Sequence, residues 1–205
     1  MLNLHDMKLS QIYLLEVANL SASIVKKCED LFSRYTIYGD DNYLSPDSDT
    51  HYLISSILND AANIKKLAIT PIGKNPKESK VQHRVRQLRA GFIFDSIGGG
   101  EIREMFSVKI RNTIEHFDEY IDEANVKSTW ENDGQDLAVY NMVISRRNVF
   151  NLPYFLKVYV VSEFTFYNFK WSINIKTIYE ESKIILNNLY DKCDTKDSNG
   201  MLISL

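Results

Sequence analysis

Cysteine is scarce in this chain of 205 residues. Cys28 and Cys193 stand near opposite ends, with no CxxC pair and no clustered Cys/His spacing, so a structural zinc site has no basis and two buried thiols in a reducing compartment are expected. Long apolar runs are also missing. No segment approaches 18 consecutive apolar residues, and Met1–Asp6 lacks a basic patch followed by an apolar stretch and a small-residue cleavage site. These absences predict a cytoplasmic chain with no membrane partner. Charge of one sign is not in large excess either, since a net charge of -3 identifies no partner by itself. Internal repeats, low-complexity linkers and the RRM, KH and zinc-finger signatures are all absent. A glycine run does occur at Gly98–Gly100, but it lacks the Lys-Ser/Thr end of a P-loop and a preceding strand, and it reads as a turn between helices.

What is present suits one compact domain spanning residues 1–205. Hydrophobic residues make up 44% of the chain and charged residues 25%, proportions that argue against wholesale disorder. A chain of this length buries about 70% of its unfolded surface, so neither disulfides nor a metal is needed to hold a core. Helical spacing runs from about Leu9 to Arg34, from Asp49 or Thr50 to Leu67, and from Pro76 to Asp95 with Val81, Val85, Leu88 and Phe92 as its apolar ridge. A fourth helix is predicted over Glu101–Asn125, and the last over Ile175–Cys193. Between them, β-branched and aromatic residues at Val139–Ile144 and Phe155–Asn168 predict a pair of antiparallel strands. The expected fold is mainly α, a helical bundle with a β-hairpin at about 137–168 before the C-terminal helix.

Two features carry functional weight. Lys74, Lys77, Lys80, Arg84, Arg86 and Arg89 are opposed only by Glu78, a local excess that suits a polyanion such as RNA and equally suits a solvated helix face. The second is Arg111-Asn112-Thr113-Ile114-Glu115-His116 on the fourth helix. With Ile110, Ile114, Phe117 and Ile121 facing inward, Arg111 and His116 flank an outward polar arc of about 140° that holds Asn112, Glu115 and Glu119. Arginine binds phosphate through directional charged hydrogen bonds, histidine exchanges a proton near neutral pH, and asparagine can orient a polar partner. Together they suit attack of a ribose 2′-hydroxyl on the adjacent phosphate without a metal or other cofactor. The ordinary reading is an Arg111–Glu115 pair one turn apart and a histidine in a helix interface.

The pattern Arg111-Asn112, three residues, His116, on a long helix of a bundle, resembles the HEPN superfamily over about Met7–Asn125. The resemblance implies a metal-independent endoribonuclease working at a composite homodimer site in stress response, antiviral defence or a toxin–antitoxin pair, with an antitoxin or other regulatory protein as a further partner. It gives Arg111 the scissile phosphate, His116 the acid/base chemistry and Asn112 a supporting polar role. Asp118, Glu119, Asp122 and Glu123 follow the motif and repel RNA unless basic residues offset them. That acidity, and the aromatic-rich stretch Tyr154–Trp171, favour the alternative of a non-catalytic HEPN-like scaffold or protein-interaction module. RNA binding through Lys74–Arg89 without cleavage is the third reading.

Overall fold

A computed structural model describes residues 10–39, 42–107, 109–131, 137–149 and 154–190. The described chain is mainly helical, with α1 (Ser10–Ser33), α2 (Ser48–Ala68), α3 (Lys80–Ser96), α4 (Lys109–Glu115), α5 (Phe117–Val126) and α6 (Ile175–Tyr190). Asp47 caps α2 by accepting from Thr50 N, and Ser79 with Gln82 forms a capping box at α3. The expected start of α1 at Leu9 and the expected end of α6 at Cys193 lie outside the described residues.

α1, α2 and α6 pack together through Leu14, Val17, Ile24, Leu31, Ile54, Ile57, Ile64, Ile178 and Ile185, all at most 2% exposed. The helical spacing of these residues follows from their sequence, and their burial supplies the main core. Cys28 belongs to it, and burial pushes its thiol up to about 12, well away from the thiolate needed for reactivity. Cys193 lies outside the described residues.

Two helical expectations need correction. The apolar ridge expected on α3 is not its buried face: Val81 is 62% exposed, and Ala90, Ile93 and Ser96 are what the helix buries. The helix rests on α2 by its C-terminal half, so its first turns project beyond the core. The single helix expected over Glu101–Asn125 is broken twice. Residues 101–107 form a non-helical segment because the buried Glu181 carboxylate of α6 accepts the backbone N–H groups of Arg103, Glu104 and Met105, at 2.7, 2.9 and 2.7 Å. At His116 the backbone leaves helical geometry (φ -112, ψ 41), dividing α4 from α5.

The expected hairpin is instead part of a five-stranded sheet, in the order β1 (Leu44–Pro46), β2 (Ala138–Ile144), β3 (Tyr154–Val160), β4 (Thr165–Asn168) and β5 (Trp171–Asn174). β2 and β3 run parallel, with Val139 opposite Phe155 and Val143 opposite Tyr159, while the other neighbours are antiparallel. The stretch read as one strand over Phe155–Asn168 is split by a short turn of helix at Val161–Glu163 and by Phe164 in left-handed backbone (φ 51). β1 hides in text that reads as a surface connection, and its Pro46 is tolerated because the strand is an edge.

Asn141 (φ 56) and Lys157 (φ 54) stand side by side on the parallel pair, between Tyr140–Leu156 and Met142–Val158. This double interruption shifts the alternation by one residue. Val139, Met142 and Ile144 therefore share a face with Phe155, Val158 and Val160, while Val143 and Tyr159 turn to the main core.

Candidate functional site

α4 lies against α2 and against β4 and β5. Ile110 and Thr113 are its buried residues, and Thr113 is held by the buried Asn168 of β4, whose Nδ2 donates to Thr113 O at 3.2 Å and to Thr113 Oγ1 at 2.9 Å. That anchor fixes the rotation of the helix. Lys109, Asn112, Glu115 and His116 face outward, and Arg111 is half-buried on the flank away from His116.

Arg111 donates from Nη2 to Glu115 Oε1 at 2.5 Å, while its Nε is buried with no hydrogen-bond partner among the described residues. The His116 side chain is 57% exposed, with Nδ1 3.2 Å from Glu119 Oε1. Asn112 and His116 line one open cavity of about 320 Å³ together with Glu119, Tyr120 and Glu123. Arg111 is not among these lining residues. The fold thus brings two of the three motif residues into one cavity and leaves the guanidinium on the opposite flank. Glu119 and Glu123 give the cavity a negative wall that disfavours phosphate.

The basic residues of the α3 region stand elsewhere. Arg86 binds Glu78 through Nε at 2.8 Å and Nη2 at 2.9 Å, and also holds Thr70 Oγ1 and the carbonyls of Pro71 and Gly73. Its guanidinium holds the Glu78 carboxyl down at about 2. Arg89 donates to Lys66 O at 3.2 Å and packs on the Tyr13 ring. These two arginines are fastened to the fold. Lys74, Lys77, Lys80 and Arg84 remain exposed.

All six lie near the C-terminal end of α2. α4 leaves that end, where Lys65 reaches Phe106 O, and runs toward the other, where Phe117 meets the ammonium of Lys157. His51 in the first turns of α2 packs its ring edge-on to Phe166, one residue from the strand position paired with Val158. Fourteen helical residues between His51 and Lys65 amount to roughly 20 Å, so within one chain the basic cluster does not border the His116 cavity.

Lysines near the motif went unmarked in the sequence reading. Lys157 lies 4.3 Å from the centroid of Phe117, and Lys109 lies 4.5 Å from that of Trp171. Lys109 carried a readable signal, being three residues before Asn112 and seven before His116. Lys157 carried none, because only the sheet brings it to α5.

Among the described residues no three His, Cys, Asp or Glu side chains cluster as a metal site, and no helix is long and apolar enough to cross a membrane. Compared with protein-family models, curated proteins and solved structures, the chain matches none.

Proposed function

We propose that this chain is a metal-independent endoribonuclease of the HEPN type, acting at a cleft to which two copies contribute. The observation that carries the reading is the shared open cavity of Asn112 and His116 at the break between α4 and α5, with the imidazole more than half exposed. Arg111, turned to the other flank, supplies the reason for a second copy: a two-fold partner can bring its guanidinium across to the cavity. In the reaction, the ribose 2′-oxygen forms a bond to the adjacent phosphorus and the bond to the 5′-oxygen breaks. This yields a 2′,3′-cyclic phosphate and a 5′-hydroxyl. His116 takes or returns the proton, Arg111 stabilises the charge on the phosphate oxygens, and Asn112 orients the group by hydrogen bonding. A defence or toxin–antitoxin setting, with a neutralising protein partner, accompanies this reading.

The test is cleavage of single-stranded RNA in the presence of a chelator. Arg111→Ala and His116→Ala are each expected to lower the rate at least ~100-fold, and dilution below the dimer dissociation constant is expected to lower it as well. Unchanged cleavage in both variants rejects the site, and full activity of a sedimenting monomer rejects the shared cleft.

A second reading is a protein-interaction scaffold, favoured by Glu119 and Glu123 on the cavity wall and by the Arg111–Glu115 pair inside one chain. It predicts no RNA cleavage by the wild-type chain at any concentration.

A further inference from the structure

Within one chain the α3 cluster stands at the far end of α2, so the cationic charge that the same chain offers a strand lying at His116 comes from the sheet side of α4. Lys109 opens α4 and shares with Asn112 and His116 the stripe at i, i+3 and i+7, all three exposed. Its ammonium sits 4.5 Å from the centroid of Trp171 and forms no ion pair among the described residues. The ammonium of Lys170, in the β4–β5 turn, lies 5.7 Å from the same centroid and 3.9 Å from Glu123. The two ammonium groups are thus gathered on one indole, and Glu123 offsets the charge of Lys170 while Lys109 has no such carboxylate among the described residues. Lys170 also lines a small cavity of about 70 Å³ with Tyr120 and Glu123, which are two of the residues lining the His116 cavity. The two cavities therefore meet at Tyr120 and Glu123, and Lys170 links the smaller one to Trp171.

We infer that Lys109 and Lys170, gathered on Trp171, bind a backbone phosphate of single-stranded nucleic acid one to two nucleotides from the position held at Asn112 and His116. The spacing fits, since seven helical residues separate Lys109 from His116 by about 10 Å. The indole and the Tyr120 ring offer apolar faces for sugar or base, while the lysines hold the backbone. The inference deepens the nuclease reading by giving the single strand a second phosphate position, and it rests on that reading for the identity of the neighbouring one.

A fluorescein-labelled oligodeoxythymidylate separates binding from chemistry, because it lacks the 2′-hydroxyl that cleavage requires. Its anisotropy is followed over a potassium chloride series for wild type, Lys109→Gln, Lys109→Arg and, as a surface control, Lys26→Gln. Lys109→Gln is expected to weaken binding about fivefold and to lower the log–log salt slope by about 0.7, the value for one phosphate of a single strand. Lys109→Arg restores both, and Lys26→Gln changes neither. Lys109→Gln binding like wild type, while wild type cleaves RNA, overturns this site and leaves the nuclease reading standing. Lysine-dependent binding by a chain that cleaves no RNA supports the site and sinks the nuclease reading. A wild-type chain that fails to bind the strand even at low salt overturns this site, and it sinks the nuclease reading as well only where the chain also cleaves no RNA.

Discussion

Asn168 shows how one buried amide can fix the orientation of a surface helix. It is fully buried and uses both ends: Nδ2 donates twice to Thr113 of α4, and Oδ1 accepts the backbone N–H of Lys157 at 3.0 Å. The second bond holds β3 in left-handed backbone at Lys157, a conformation that strains a residue bearing a Cβ. Replacing Asn168 by Ala takes the partner from Lys157 N and both amide bonds from Thr113, whose Oγ1 keeps only its own bond to Ile110 O. The expected loss is about 1–3 kcal/mol, read from the denaturant midpoint at constant slope. Asn168→Asp should be worse, since it removes the donors and buries a charge. A loss under about 0.5 kcal/mol for the alanine variant would mean that α4 is oriented by Ile110 and Ile114 alone.

Among the elements, the Gly98–Gly100 turn sets where the segment leading to α4 begins. Gly98 adopts φ +71, and a Cβ there would stand 2.6 Å from Asn188 Nδ2, the group that donates to Ile97 O. A Cβ on Gly99 would collide with the Phe94 ring, which stacks on Phe106 at 6.2 Å. Gly100 meets nothing within 4 Å. Thermal melts of the three alanine variants are expected to rank accordingly. Gly98→Ala and Gly99→Ala should each cost about 1–3 kcal/mol, while Gly100→Ala should be neutral or stabilise by up to about 1 kcal/mol through the unfolded chain. Equal effects at all three positions would contradict the packing described for this turn.

For the molecule as a whole, stability should depend on pH through His51. This side chain is buried near the start of α2, with Nδ1 2.5 Å from Asp47 O and Nε2 without a partner among the described residues. Burial lowers its pKa below the ordinary 6.5, although the Asp47 carbonyl at Nδ1 opposes the shift. The folded chain therefore favours the neutral ring, whereas the unfolded chain takes up a proton below about 6.5. The contribution is complete above that pH and is lost as pH falls through the folded value. Denaturant midpoints should decline from pH 7 to pH 5, and His51→Phe should flatten that decline while keeping a ring against Phe166. Glu78 adds a later loss as pH falls from 4.5 toward about 2, when its pairing with Arg86 fails. An identical decline in His51→Phe would assign the acid sensitivity to other groups.

The sequence by itself determined the mainly helical class, the end of α1, the span of α2 and the start of α6 to within a few residues, and the turn at Gly98–Gly100. These rest on local periodicity, capping and glycine, which act over neighbouring residues and need no partner. It also determined that Arg111 and His116 stand on opposite flanks of α4, because helical pitch alone sets that angle. Only the tertiary structure decided the rest. Alternation at Val139–Ile144 and Phe155–Asn168 announces strands but is silent on whether β2 meets β3 parallel, and the three residues of β1 acquire meaning only when β2 lies beside them. The segment Glu101–Ser107 reads as helix until Glu181, far along the chain, takes its N–H groups. The reach of the basic residues toward His116 was likewise a matter of which end of α2 they occupy, a distance set by packing that no spacing in the chain encodes.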